Sequence, residues 1–465
     1  MRSLGQVDLH LDLAASSGRS LRARVEHALR EAVRDGRLPP GTRLPPTRGL
    51  ATDLGVSRGT VAEAYAQLAA EGYLRTARGG GTRVAAVEVQ PAEDGTSAGA
   101  GPEPPIRFDL DPSVPAVDGF PRAAWLAALG RAVREAPDAA LGYGDPLGEP
   151  ALRQALTAAL GRRRGVRAAP GTLVITGGVR RGLPLVWALL AARGARRVGV
   201  EAPGWRRMAQ TAERAGLEVV GIPVDEEGLD PAALAAATPD AVALTPAHQF
   251  PTGAVLSARR RGALVAWARA HGAMLVEDDF DAEFRYDRSP IGSLQGLAPD
   301  VVVHAGSASK LLAPALRLGW LVLPPALAEL LRVERPDDAA AWVDPGAPPP
   351  LDQLAYANML ERGDLDRHLR RQRRRYAARR EALLTALAHA LPDLPVTGAS
   401  AGLFLVVLLP AGTDPAAVAA HARAAGLVLA VAGTAPPALA VGYATLPEAS
   451  APVAARLVAE ALAAR

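Results

Sequence analysis

Val301-Val-Val-His-Ala-Gly-Ser-Ala-Ser-Lys310 decides how the larger part of this chain is read. Residues 301–305 form a short apolar run of the kind found in strands buried on both faces. The run breaks at Gly306 into two hydroxyls, Ser307 and Ser309, and an amine, Lys310, with Arg317 a short way beyond. Ligands of open α/β sheets lie outside the carboxyl ends of the strands. Hydroxyls and a guanidinium there suit a phosphate, and a primary amine suits an aldehyde. Lys310 is also the one lysine in 465 residues, although Lys and Arg together number 52. Base composition alone favours arginine and leaves one lysine by chance. The other reading is that an amine is required, because a guanidinium stays protonated and cannot form a Schiff base.

Further strands fit 173–176, 198–201, 219–222, 241–244 and 273–277, with helical patterns such as 183–192 and 257–271 between them. This alternation predicts an α/β domain with a largely parallel sheet. From about residue 364 a long helix, an apolar run at 403–409 and a strand-like run at 438–443 predict a smaller α+β subdomain. Two more clusters fall at strand ends. Gly177-Gly178-Val179-Arg180 opens a helix, where free amides suit a phosphate, although most Gly-Gly turns are only turns. Glu277-Asp278-Asp279-Phe280 offers an acid able to keep a pyridine nitrogen protonated, or else a solvated acidic loop.

The N-terminal 85 residues read differently. Ser20 caps a helix with Val25, Ala28, Leu29, Ala32 and Val33 on one face. A short helix fits 47–54, and Ser57 caps a third with Val61, Ala64, Tyr65 and Leu68 inward. Segments 74–76 and 82–84 flank three glycines as a hairpin. Helix, helix, turn, helix and wing is a DNA-reading order, with Arg58 and Thr60 leading the third helix into the major groove. Arg43, Arg48, Arg75, Arg78 and Arg83 supply positive charge for phosphates. A three-helix protein-interaction domain is the alternative. Residues 87–105 are rich in Pro, Gly, Ala and acids and read as a flexible tether.

Composition excludes several classes. There is no cysteine, hence no disulfide framework and no thiolate site. No apolar run is long enough to span a membrane and the first 20 residues lack a signal-peptide core, so a cytoplasmic protein is expected. The net charge of +4 does not by itself point to nucleic acid.

The stretches Leu38-Pro-Pro-Gly-Thr-Arg-Leu-Pro-Pro-Thr-Arg-Gly-Leu-Ala, Leu54-Gly-Val-Ser-Arg-Gly-Thr-Val and Ala64-Tyr-Ala-Gln-Leu-Ala-Ala-Glu-Gly-Tyr-Leu closely resemble the GntR family of winged helix-turn-helix regulators. The resemblance implies DNA contacts by Arg48, Ser57, Arg58 and Thr60, with Arg78 on the wing. Tyr143-Gly-Asp-Pro-Leu-Gly, Thr245-Pro-Ala-His-Gln-Phe-Pro-Thr-Gly, Glu277-Asp-Asp-Phe-Asp-Ala-Glu-Phe-Arg-Tyr and Gly306-Ser-Ala-Ser-Lys-Leu-Leu-Ala-Pro-Ala-Leu-Arg-Leu-Gly-Trp resemble the MocR-type branch, which joins that reader to a fold-type I aminotransferase-like domain holding pyridoxal 5'-phosphate (PLP). The domains implied are a winged helix over 1–86, a linker over 87–105 and the PLP-binding effector domain over 106–465.

By position the resemblance gives Lys310 the internal aldimine and Asp278 the pyridinium nitrogen. Ser307, Ser309 and Arg317 lie near phosphate or ligand, together with the amides of Gly178, Val179 and Arg180. Trp205 falls where an aromatic stacks on the cofactor ring, with a core tryptophan as the alternative. Three departures stand out. Phe280 replaces a tyrosine that contacts the cofactor's phenolic oxygen. Phe250 occupies the slot of an asparagine with the same task, leaving His248 or Gln249 to compensate. Ala440 stands where many relatives have an arginine for a substrate carboxylate. These losses argue against efficient transamination.

The expected function is a PLP-dependent, homodimeric DNA-binding regulator responding to an amine, an amino acid or PLP itself. A working aminotransferase with an accessory DNA reader and a cofactor-free dimerisation scaffold are the alternatives. The dense arginines at 366–380 are read as one solvated face of a structural helix rather than a second DNA contact.

Overall fold

The computed structural model describes residue 13 and residues 20–77, 81–85, 105–142, 144–287, 291–333 and 346–464. Arg78, Tyr143 and nearly all of the expected linker lie outside the described residues. The chain divides into two compact units, Met1–Ala100 and Gly101–Arg465.

In the first unit, helix Leu21–Arg34 begins where the Ser20 hydroxyl accepts the Ala23 amide, 3.2 Å away. Helix Thr47–Asp53 follows, and Arg58–Ala70 is capped in the same way by Ser57, which accepts from the Thr60 amide at 3.1 Å. Such caps are worth about 1 kcal/mol each. The inward residues of all three helices join Leu38, Leu44, Leu74 and Val84 in one core. The Tyr65 hydroxyl donates to the Pro45 carbonyl at 3.0 Å, fixing the third helix beneath the second. Strands Leu74–Ala77 and Gly81–Val84 pair antiparallel as the wing.

The second unit is built on an eight-stranded sheet. Its order is Leu173–Thr176, Gly319–Val322, Val302–Ser307, Met274–Asp278, Ala241–Leu244, Arg197–Ala202, Glu218–Asp225 and Gly228–Leu229. Neighbours from Val302–Ser307 to Glu218–Asp225 run parallel, as the buried apolar runs require. Gly319–Val322 runs antiparallel to both of its neighbours. No strand is expected there from the sequence, since the run opens on a glycine, which is depleted in strands. Strand residues alternate between layers. Ile175 and Trp320 face one core, with Leu152, Leu156 and Tyr356. Val174 and Leu321 face the other, with Leu183, Val186 and Trp187 of helix Val179–Ala192. Each such buried side chain contributes roughly 1.5–3 kcal/mol.

The C-terminal subdomain carries an antiparallel sheet in the order Val396–Thr397, Phe404–Leu408, Pro437–Gly442 and Ala430–Thr434. Leu405 and Val407 enter the main core, while Phe404 and Val406 on the opposite face form a small cluster with Ala438 and Ala440. Helix Asp364–Ala390 buries Leu365, Leu369, Tyr376, Leu383 and Leu387. Its arginines are partly internal: Arg373 donates to the Glu283 carbonyl at 2.8 Å, and Arg375 pairs with Asp118. Among the described residues no helix is long and apolar enough to cross a membrane.

Candidate cofactor site and DNA interface

Three strand ends converge through the sheet register. Ala305 is paired with Asp278, and Ser307 lies opposite Gly319, which lies opposite Thr176. The expected phosphate turn, the acidic run and Lys310 therefore occupy one edge of the sheet.

At the turn, Gly178 precedes helix Val179–Ala192 with φ +92° and no side-chain cap, so the first amides of that helix keep their protons for another acceptor. A Cβ on Gly319 would lie 2.6 Å from the Gly178 Cα, and one on Gly177 would lie 2.4 Å from the Gly346 carbonyl oxygen. Backbone packs on backbone, which only glycine allows. Arg180 and Arg317 are exposed, and Val179 is buried.

The acids of the run Glu277-Asp278-Asp279 have different fates. Glu277 is fully buried and accepts from the amides of Leu294 at 2.7 Å and Gln295 at 3.0 Å and from the Ser293 hydroxyl at 2.5 Å. Burial pushes its carboxyl up, but His304, Ser293 and the Leu294 amide more than offset this and hold it down at about 2. Asp279 is bound by both arms of the buried Arg164 guanidinium at 2.8 and 2.9 Å. Asp278 is the exception. Its Oδ1 is buried and has no hydrogen-bond partner. Burial, reinforced by Asp279, pushes its carboxyl up to about 7.

Lys310 lies in the short helix Ala308–Leu311, whose cap is the Ser307 hydroxyl accepting from the Ser309 amide at 3.2 Å. Its half-buried ammonium donates to the Ser113 carbonyl. Burial lowers the ammonium below its ordinary value, against the pull of Asp281, Asp111 and Asp278. A lysine so placed is easier to deprotonate and so a better nucleophile.

Trp205, half-buried, sits immediately before helix Arg206–Arg214 and packs against the core beneath that helix. Gln249 is wholly engaged: its amide nitrogen donates to Glu201, Pro203 and Phe250, and its carbonyl accepts from Thr252. It shapes the loop and has no group to spare. Its partner Glu201 is pushed up to about 7 by burial, partly offset by Thr245 and Gln249. His248 keeps Nε2 unpartnered; Phe280 and Phe404 pack against its ring, and Phe250 packs edge-on against both of them. Ala440 is fully buried in that apolar face. The sequence reading misses Asp281, Arg164 and Ser113, since each acts through a contact distant in the chain or after a turn that periodicity does not mark.

In the first unit, Arg48, Ser57 and Arg58 are exposed and Thr60 is half-buried. Ser57 and Thr60 hydroxyls lie 2.8 Å apart, so that pair is organised before any ligand arrives. Arg75 and Arg83 are exposed and face each other on the wing.

Comparison with known proteins agrees with these two units. Residues 21–84 match the family of bacterial regulatory proteins, gntR family, and residues 114–456 match aminotransferase class I and II. The pyridoxine biosynthesis transcriptional regulator PdxR of Corynebacterium glutamicum is 36% identical over 408 residues, covering 86% of each chain. The probable rhizopine catabolism regulatory protein MocR of Rhizobium meliloti is 32% identical and covers 81% of this chain and 79% of its own. The regulator TauR of Rhodobacter capsulatus is 32% identical over 90% of both. Among solved structures, the kynurenine aminotransferase of Pyrococcus horikoshii superposes with a TM-score of 0.67 at 24% identity, over 78% of this chain and 91% of its own. The α-aminoadipate aminotransferase LysN of Thermus thermophilus gives 0.66 at 26%, over 77% and 92%.

Fold and matches together define an HTH-type transcriptional regulator that carries a fold-type I aminotransferase-like domain. The winged helix is a DNA-binding domain. The chain belongs to the gntR family of bacterial regulatory proteins, in its MocR-type branch.

Proposed function

We propose that residues 1–86 read an operator and residues 106–465 bind PLP at Lys310, joined by the tether at 87–105, and that occupancy of the PLP site alters DNA binding. The observation that carries this reading is the contrast within Glu277-Asp278-Asp279. The outer acids are saturated by protein partners, and only Asp278 keeps a buried, unpartnered oxygen. An unsatisfied buried acceptor costs about 1–3 kcal/mol, a cost that a pyridinium N–H removes. The glycine-lined turn at Gly177 and Gly178 fits the phosphate, with Ser307, Ser309, Arg180 and Arg317 about the same edge. When bound, PLP supplies an electrophilic carbonyl carbon for a primary amine. This chain's residues do the remainder: Lys310 presents the amine, Asp278 holds a proton on the ring nitrogen, Val179 and Arg180 offer amides to the phosphate, and Trp205 covers a ring face.

The apolar face of Phe250, Phe280 and Ala440 offers no cation to an α-carboxylate, which supports sensing over turnover. The effector is then an amine or PLP itself. A homodimer is supported by helix Arg122–Glu135, where Leu126 and Val133, 70% and 59% exposed, lie seven residues apart on one face. Such a regulator acts where the DNA is, in the cytoplasm.

The test is the visible absorption spectrum of the purified protein with PLP, beside Lys310→Ala after free cofactor is removed. A retained band that disappears on borohydride reduction, and is missing from the variant, supports the reading. No band in the parent protein rejects it.

A further inference from the structure

Beside Lys310 and Asp278 lies the buried pair His248 and Asp281. His248 is 2% exposed, and its Nδ1 is 2.8 Å from Oδ2 of Asp281, itself 1% exposed. A carboxylate only accepts, so Nδ1 carries the proton and Nε2 is left with a lone pair. That Nε2 is buried without a partner. The ring is held by Phe404, with centroids 4.7 Å apart, and stacks on Phe280 at 6.2 Å. Gly402 makes room for it: a Cβ there would lie 2.1 Å from the imidazole Cε1. Asp281 is the foremost charge acting on Lys310 and also acts on Asp278, so the pair adjoins the site. The nearby hydroxyls of Tyr286 and Tyr443 donate to the Gly402 carbonyl at 2.6 and 2.7 Å and feel the same Asp281 charge.

Besides its aldehyde, ring nitrogen and phosphate, PLP carries one more polar group, the hydroxyl next to its aldehyde. Phe250 and Phe280 carry no polar atom, and the Gln249 amide is spent. The unpartnered nitrogen belongs to His248, whose ring is stacked on Phe280.

We propose that Nε2 of His248 takes the proton of that phenolic hydroxyl in bound PLP, with Asp281 balancing the imidazolium. The O–H bond breaks, its electron pair stays on oxygen, an N–H bond forms, and the net charge is unchanged. The inference rests on the cofactor reading above. A positive imidazolium at the oxygen opposes a second positive charge on the nitrogen linking Lys310 to the cofactor. It therefore lowers the pH at which that nitrogen loses its proton.

The experiment titrates the visible absorption of full-length, PLP-loaded protein against pH, for the parent, His248→Phe, His248→Gln and Asp281→Asn. We expect the midpoint to rise by about one pH unit in His248→Phe, a tenfold change in proton affinity. A smaller rise is expected in His248→Gln. In Asp281→Asn the imidazolium is lost together with a carboxylate that favours the charged nitrogen, so its midpoint moves less than that of His248→Phe. Midpoints equal to the parent's in His248→Phe and His248→Gln overturn the inference while leaving PLP binding intact. If His248→Phe fails to fold by circular dichroism, His248→Gln decides it by the same comparison. Absence of a band in the parent overturns the cofactor reading and this inference together.

Discussion

Arg75 stands directly across the wing hairpin from Arg83, and Arg83 is in turn bridged to Arg43. Like charges placed opposite each other on a sheet destabilise it by up to about 1 kcal/mol. The arrangement becomes favourable when a phosphate lies among the three. Arg75→Gln should leave the isolated fold at least as stable in a thermal melt. It should weaken DNA binding and reduce the slope of log affinity against log salt by about 0.9, one phosphate's worth. Arg58→Ala, at the start of the third helix, should instead cost about 1–3 kcal/mol of preference for the operator over unrelated DNA, with PLP absorbance unchanged. Equal operator affinity in salt-matched titrations would refute the assignment.

The second prediction concerns pH. The Asp278 carboxyl is raised to about 7 in the folded protein, against about 4 in an unfolded chain. An acid raised in this way contributes stability that is complete below the unfolded value and is lost as pH rises through the folded one. Cofactor-free parent protein should therefore lose stability relative to Asp278→Asn between about pH 4 and 8. By pH 8 the variant should be more stable by at least about 1 kcal/mol. With PLP the order reverses, because the variant lacks the charge that holds the ring proton, and binding should weaken at least about tenfold. Denaturant melts across this range, with and without PLP, read both effects. Parallel pH profiles for the two proteins would remove Asp278 from the proposed role.

The third uses the contact between Gly319 and Gly178. A methyl group on Gly319 meets the Gly178 Cα at 2.6 Å, where no side chain can rotate away. Overpacking of this kind costs about 1–3 kcal/mol. Gly319→Ala should displace the turn, so affinity for PLP should fall more than affinity for pyridoxal, which lacks the phosphate. Equal losses for both ligands would place the phosphate elsewhere.

Much of this was legible in the sequence, for a physical reason. Buried strands such as Ala241–Leu244 and capped helices such as Arg58–Ala70 are written in local patterns, and the motif at Lys310 names its chemistry by residue type. What escaped is non-local. Arg164 meets Asp279 from 115 residues away, and Ser113 meets Lys310 across 197. Neither separation leaves a periodic trace. Glu277, Asp278 and Asp279 are equivalent as letters. Only the partners brought by Ser293, Arg164 and the Leu294 amide separate the one with an unused oxygen from its neighbours. The strand Gly319–Val322 opens on a residue with little strand preference and is held by pairing on both sides.

Lys310 is the chain's single side-chain amine. Aldehydes ordinarily decorate the surface lysines of a protein, and a bound chromophore has to be distinguished from that background. Here the surface carries guanidiniums, which do not react. A simple aldehyde added to this protein has one side-chain amine with which to condense, beside the α-amino group. Labelling stoichiometry therefore becomes a direct count of accessible sites, and protection of that one amine by a candidate effector becomes a binding assay that needs neither DNA nor turnover.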